Sequence, residues 1–401
     1  MSGSRRIGAD EAAARLGVKK ETLYAYVSRG LLHPVKEDGR HSSFDPDELE
    51  ALRNQRRRRR VGEFEMPIAT GITRVHQQQL TYRGIPIETL VGDGRSLEAV
   101  AELLWQGQLP AGSPRWQPDR RMLATARKVQ TELPADTPVI DRLRATVTVA
   151  SASDPFRDDL SPEPVVAAGR RVIASLVHAL PGPDADADTA LSDVLWSRLT
   201  DRRGRTAERA VLRTALVVLA DHELAASTLA ARVTASVRGD VYSVLQAGLG
   251  PLAGRLHGGA GANVHRMLAE AEATSPGAAV AEALRAHQRI PGFGHLLYPD
   301  RDPRAALILD RVRAAAHDRR RLALADEVLD LCLDRSGRPP NIDFALATMA
   351  FVSHLPRPTS QTVFAVARCA GWIAHALEEY DERPLRFRPV ARWRPRHDES
   401  V

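Results

Sequence analysis

The residues best suited to chemistry lie between Arg289 and Arg304, in the stretch Arg-Ile-Pro-Gly-Phe-Gly-His-Leu-Leu-Tyr-Pro-Asp-Arg-Asp-Pro-Arg. Pro291, Gly292 and Gly294 break any regular element just before His295, so the imidazole is expected on a turn rather than inside a helix. Asp302-Pro303-Arg304 then opens an apolar helical run from Ala305 to Val312, with Pro303 suited to its first turn. A histidine and an arginine on the shoulders of such a loop suit an anionic substrate. One group can donate a proton and the other can clamp a carboxylate.

Four more islands carry similar residue types. Asp221-His222-Glu223 lies between two apolar helices and is followed by Ala226-Ser227-Thr228. Gly254-Arg255-Leu256-His257-Gly258-Gly259 ends one helix and opens another, and its glycines let a ligand approach the backbone. Pro339-Pro340-Asn341-Ile342-Asp343 sets a carboxylate at a helix start, and Arg368, Gly371, Trp372 and His375 share one helical stripe. Arg388-Pro389 lies beyond that stripe.

The elements that must position these groups are helical. After a short hairpin expected over 71–84, no stretch beyond residue 90 sustains period-2 alternation. Helices are expected at 115–132, 137–151, 163–179, 187–199, 207–220, 223–236 and 239–254, with polar loops at 181–188 and 201–206 as the places most open to disorder. Over 401 residues, 43% are hydrophobic but only 5% aromatic, which fits an Ala/Leu-packed all-α protein of two or three domains and argues against a β-sandwich. Cys332 and Cys369 sit in apolar helical runs with no metal spacing, so they read as packing residues in a reducing cytoplasm. No metal site is expected. No apolar run approaches the ~20 residues that span a bilayer, and no signal peptide is evident, so a cytoplasmic protein is expected without a membrane partner.

The net charge of +6 is concentrated at the N-terminus, where residues 1–60 hold 14 Lys/Arg against 9 Asp/Glu. There, Arg6 to Leu16 reads as a short helix and Lys20 to Ser28 as a second, separated by the corner Gly17-Val18-Lys19. A Gly39-Arg40 turn and a third helix capped by Asp45 follow. The pattern over 6–52 resembles the winged helix-turn-helix of the mercury-resistance-regulator and excisionase type. That resemblance implies that the second helix enters a DNA major groove, presenting Lys19, Lys20, Thr22, Tyr24 and Tyr26. Arg56, Arg57, Arg58, Arg59 and Arg60 form an unbroken basic run suited to phosphates, or to a solvated linker, and close this domain at residue 60.

Residues 68–395 resemble citrate synthase. The matching pieces are L-T-Y-R-G-I-P-I (80–87), A-E-L-L-W-Q-G-Q-L-P (101–110), D-H-E-L-A-A-S-T (221–228), L-H-G-G-A (256–260), G-F-G-H with D-P-R-A (292–305), P-N-I-D-F (340–344) and A-R-C-A-G-W-I-A-H-A-L-E (367–378). The resemblance implies an all-α homodimer whose large domain spans 61–257 and 355–401 and whose small domain spans 258–354. It also implies condensation of an acyl-CoA with oxaloacetate, with no cofactor beyond the CoA thioester as co-substrate. By the same resemblance Asp343 is the base, His257 the donor to the thioester oxygen and His295 the donor to the ketone. His222, Arg304 and Arg368 bind oxaloacetate, joined by Arg388 from the neighbouring subunit, although Arg383-Pro384 offers a competing alignment.

The chain departs from many bacterial relatives at Ala225 and Gly261, where Asn is common, and at Leu296, where Arg is common. These changes bear on CoA affinity and acyl-chain choice. A second reading, from a different class, is a transcription regulator that keeps the synthase body as a metabolite sensor. A dedicated sensor could lose its acid/base groups, whereas this chain retains His257, His295 and Asp343.

Overall fold

The computed structural model describes residues 7–28, 31–37, 41–46, 48–49, 52, 67–186, 188–254, 257–287 and 289–388. The Arg56–Arg60 run and the Gly39-Arg40 turn lie outside these residues. The chain divides into two compact units, Met1–Ala69 and Thr70–Val401.

In the first unit, strand Ile7–Gly8 leads into helix Ala9–Leu16 and then helix Lys20–Ser28. The first helix therefore starts three residues later than periodicity suggests. Ile7 and Gly8 pair with Phe44 and Ser43 instead, in a three-stranded antiparallel sheet that also contains Val35–Glu37. A tertiary pairing outweighs local helix propensity there. Gly17 turns the corner at φ 61°, a left-handed conformation that glycine adopts without a Cβ penalty, and its N–H closes the helix on Ala13 and Ala14. Leu16, Leu23, Leu32, Phe44 and Leu49 form the small core between helices and wing.

The second unit opens with an antiparallel hairpin, Thr73–His76 with Gln79–Tyr82, to which Ile85–Pro86 adds a third strand. Fifteen helices follow between Ile87 and Asp381 among the described residues. Their starts follow side-chain capping where the sequence provides it. Ser96, Asp119, Asp240, Asp302, Asp318 and Asn341 each accept a backbone N–H from the first turn of their helix. The expected 115–132 and 187–199 helices begin later, at Arg120, where Asp119 caps the first turn, and at Leu191, whose N-cap Ala190 supplies no capping side chain. The 201–206 segment is not loose: Arg202 forms a two-pronged pair with Glu208 at 2.7 and 3.0 Å and also donates to Ser353 O.

The long helix Thr359–Asp381 is the axis of this unit. It is buried on nearly every side and packs on Leu97–Gln106, Pro162–Ala179, Ala226–Ser236 and Val241–Leu252. Close approach there depends on glycine. A Cβ on Gly248 would stand 2.4 Å from the Trp372 ring, and one on Gly169 would stand 3.1 Å from Ile373. Cys332 and Cys369 are buried free thiols. Among the described residues no helix is long and apolar enough to cross a membrane.

Candidate active site

Four loops at helix ends and the middle of the Thr359–Asp381 helix converge on one cluster. The His295 loop is built by two left-handed glycines, Gly292 at φ 85° and Gly294 at φ 79°. Neither tolerates a side chain: a Cβ would stand 2.7 Å from Val264 in the first case and 2.9 Å from Arg338 in the second. The loop lies along residues 339–341. Gly294 donates to Pro339 O at 2.8 Å, and the Asn341 backbone donates to Gly292 O at 2.9 Å. The Asn341 side chain ties the two pieces together, since Nδ2 donates to Gly294 O at 3.1 Å while Oδ1 accepts from Asp343 N at 2.9 Å. His295 and Asp343 thus share one scaffold.

Asp302 caps helix Pro303–Ala315 and holds Arg304. Its carboxylate accepts from Arg304 Nε at 3.0 Å, Nη2 at 2.8 Å and the backbone N at 3.0 Å, and it takes Ile342 N at 3.2 Å as well. Both residues are buried. Arg304 lies over the Tyr298 ring at 5.3 Å, and the Tyr298 hydroxyl stands 2.9 Å from His222 Nε2. The His222 and His295 rings meet edge to face at 5.2 Å. Across the cluster, Arg368 donates from Nε to Leu219 O at 2.9 Å and stacks on Phe364 at 4.6 Å. His257 packs edgewise on the same Phe364, with Ser227 Oγ at 2.8 Å from its Nε2. The loop from Asp221 carries Glu223 at φ 46°, a left-handed conformation that costs a non-glycine residue ~1–2 kcal/mol.

Electrostatics divides the groups by role. Burial drives His295 down to about 4, helped by Arg304, and drives His257 to about 4, helped by Arg368. Burial also holds His222 well below its usual value, with Arg304, His295 and Arg368 adding to the effect. All three imidazoles are therefore neutral near pH 7 and can each donate from one nitrogen. For His295 the donor is defined: Nδ1 accepts from Leu297 N at 3.1 Å, so the proton of the neutral ring lies on Nε2. Asp343 moves the other way, up to about 6, because burial outweighs the pull of Arg304 and Asp302 adds repulsion. A carboxylate raised in this way is a stronger base than one in water.

The structure brings together His222, His257, His295, Arg304, Asp343 and Arg368. Arg388 is exposed and makes no hydrogen bond or ion pair among the described residues, so it does not join the cluster within one chain. Sequence reasoning did not single out Asp302, Tyr298, Ser227 or Phe364. Asp302 was read only as part of the Asp302-Pro303-Arg304 helix start, and its pairing with Arg304 was not read from the sequence. The Gly261 departure has a steric cause, since a Cβ there would stand 2.8 Å from Ser360 Cβ. Ala225 is the N-cap of Ala226–Ser236 and supplies no capping side chain. Leu296 is exposed beside His295. In the N-terminal unit Lys19, Lys20 and Tyr24 are exposed, with Lys20 paired to Asp10 at 2.6 Å, while Thr22 and Tyr26 are partly buried.

Comparisons with known proteins bear on the family of both units. The model of the citrate synthase C-terminal domain matches residues 66–396, and a helix-turn-helix model matches residues 8–57. A citrate synthase of Haloferax volcanii is 33% identical over 344 residues, covering 79% of this chain and 89% of the relative. A 2-methylcitrate synthase of Corynebacterium glutamicum is 30% identical, covering 80% and 90%. The crystal structure of citrate synthase from Thermotoga maritima superposes with a TM-score of 0.68 at 25% identity, over 84% of this chain and 96% of that one. The chain belongs to the citrate synthase family of acyl-transferring enzymes and carries an N-terminal helix-turn-helix domain.

Proposed function

We propose that the chain condenses acetyl-CoA or propionyl-CoA with oxaloacetate and hydrolyses the thioester, giving citrate or 2-methylcitrate plus CoA. The observation that carries this reading is the pairing of one raised carboxylate, Asp343, with the neutral imidazole of His295 on a common scaffold. Asp343 takes a proton from the carbon next to the thioester carbonyl, and His257 donates to the enol oxygen that forms. The enol carbon bonds to the ketone carbon of oxaloacetate, whose oxygen takes a proton from His295 Nε2. Water then cleaves the thioester and releases CoA. Asp343, His257 and His295 are the catalytic residues in this reading, and residues 258–354 form the smaller domain beside the cleft.

His222, Arg304 and Arg368 bind the dianion. Asp302 pairs directly with Arg304, Asp221 acts on Arg368 through its charge, and all three imidazoles are neutral, so the groups of one chain offer no surplus positive charge. This supports a homodimer in which Arg388 of a second copy adds the missing cation. The test is release of free thiol from purified protein given oxaloacetate with acetyl-CoA, then with propionyl-CoA. Because one methylene discriminates by only ~1–3 kcal/mol, turnover is expected with both. No thiol from either substrate overturns the enzyme reading and favours the metabolite-sensing regulator.

A second activity belongs to the N-terminal unit. The exposed Lys19, Lys20 and Tyr24 favour duplex DNA as its partner, with Arg56–Arg60 acting on phosphates. Mobility shifts at several salt concentrations should show affinity for the intact chain and none for a chain starting at Gly62. Equal affinity of the two would overturn this reading.

A further inference from the structure

Arg368 is 1% exposed, yet its guanidinium has few partners: Nε donates to Leu219 O, and Nη2 meets no acceptor among the described residues. A cation this deep requires a counter-charge close by. The segment carrying Leu219, Ala220 and Asp221 docks along one stripe of the Thr359–Asp381 helix. Leu219 O takes Arg368 Nε, Ala220 O takes Gly371 N at 2.9 Å, and Asp221 Oδ2 lies 3.3 Å from His375 Nε2. Gly371 is the notch that permits this, for a Cβ there would stand 2.4 Å from Asp221 Oδ1. Asp221 is fully buried, and like Arg368 Nη2 its Oδ1 has no hydrogen-bond partner among the described residues.

The other oxygen of Asp221 is tightly fixed. The Thr73 hydroxyl donates to Oδ2, and His375 reaches the same atom. Arg232 Nη1 lies 2.8 Å from His375 Nδ1. A guanidinium nitrogen can only donate, so Nδ1 accepts and the proton of the neutral ring points from Nε2 toward Asp221. Arg232 is fully buried and is balanced by Glu379 at 3.0 Å and Glu378 at 2.9 Å. Burial pushes the Arg368 guanidinium below its ordinary value, and Asp221 is foremost among the groups that pull it back.

We propose that Asp221 is the resident counter-ion of Arg368, held in place by Arg232 and His375 as positioning residues, and that it sets how tightly the substrate carboxylate is gripped. This rests on the reading in which Arg368 binds oxaloacetate. In the empty site Asp221 stabilises the buried guanidinium. When the dianion reaches Arg368, the same carboxylate opposes it, so affinity is traded for a stable empty state. Asp221→Asn keeps an oxygen for His375 and Thr73 while removing the charge.

The test is a double-mutant cycle on the full chain with Asp221→Asn, Arg368→Met and both together, read by thermal unfolding and by oxaloacetate calorimetry. Asp221→Asn should lower the unfolding midpoint when Arg368 is present and raise it in the Arg368→Met background. The Asp221→Asn variant should also bind oxaloacetate roughly threefold to tenfold more tightly than wild type. In a His375→Ala background the effect of Asp221→Asn on the midpoint should shrink, which a merely space-filling His375 would not produce. The same midpoint change with and without Arg368 would overturn the pairing. Unchanged or weaker oxaloacetate affinity, in a variant whose cycle does show coupling, would overturn the claim that Asp221 opposes the substrate. Wild-type protein that takes up no oxaloacetate would overturn the substrate reading itself, while the cycle still decides the pairing.

Discussion

Arg304 and Arg368 are both buried cations facing the same cluster, but their surroundings hold the charge in different ways. Around Arg304 the chain is local and closed: Asp302, two residues away, takes Nε, Nη2 and the backbone N–H. Around Arg368 the arrangement is long-range and open, with one backbone carbonyl from Leu219, an unpaired Nη2, and Asp221 as counter-charge. The first arginine is part of the framework that also places Asp343, through the bond from Ile342 N to Asp302. The second has donor capacity to spare. In the proposed reading a substrate carboxylate finds spare donors chiefly at Arg368, while Arg304 offers mainly field and shape.

The largest expected effect lies with the proposed base, Asp343, which shares its scaffold with the Arg304 and Asp302 pair. Asp343→Ala should slow condensation by ~10²–10⁴-fold, the usual contribution of a positioned general base, with oxaloacetate binding nearly intact. Thiol release within tenfold of wild type would remove Asp343 from the mechanism. Next, Arg304→Leu should destabilise the protein by ~3–5 kcal/mol, because it leaves the buried Asp302 charge with two backbone N–H donors but no cation. Arg368→Leu should cost clearly less stability, since Asp221 keeps Thr73 and His375, and should appear mainly as a loss of oxaloacetate affinity. Urea unfolding of both variants reads this contrast, and equal losses would erase the distinction between the two regions. The smallest effect is Tyr298→Phe, which removes one hydroxyl from His222 and should cost ~1 kcal/mol in oxaloacetate binding by calorimetry.

The same contrast explains what could be read in the sequence. The all-α architecture, the hairpin before it and the glycine turns before His295 are local features, written in periodicity and residue type. The motif order over 80–378 pointed to the family that the comparisons then showed. The helix start at Asp302-Pro303-Arg304 was visible because it is local, but the cap and the grip of Asp302 on Arg304 were not read from it. The Asp221, His375 and Arg232 arrangement joins residues more than 140 positions apart, and no spacing rule reaches that far. Ile7 was taken for helix because its partner, Phe44, lies across a tertiary contact. Gly261 read as a departure bearing on CoA affinity and acyl-chain choice, and its neighbour Ser360 leaves no room there for a larger residue. Arg388 is exposed in a single chain, and the role proposed for it requires a second copy.

The most direct test of the central claim is the pH dependence of kcat/KM for CoA release. Burial raises Asp343 to about 6, so the free enzyme loses its base as pH falls through that value. His257 and His295, lowered to about 4, stay neutral across the same window and keep their donor protons. The raised carboxyl also binds its proton more tightly in the folded chain than in the unfolded one. Its contribution therefore opposes folding as pH rises from about 4 to about 6, and stability and activity should move in opposite directions there. The account predicts a single-proton acid limb in kcat/KM, falling about tenfold per unit below pH 6. A profile that stays flat down to pH 5 would contradict it.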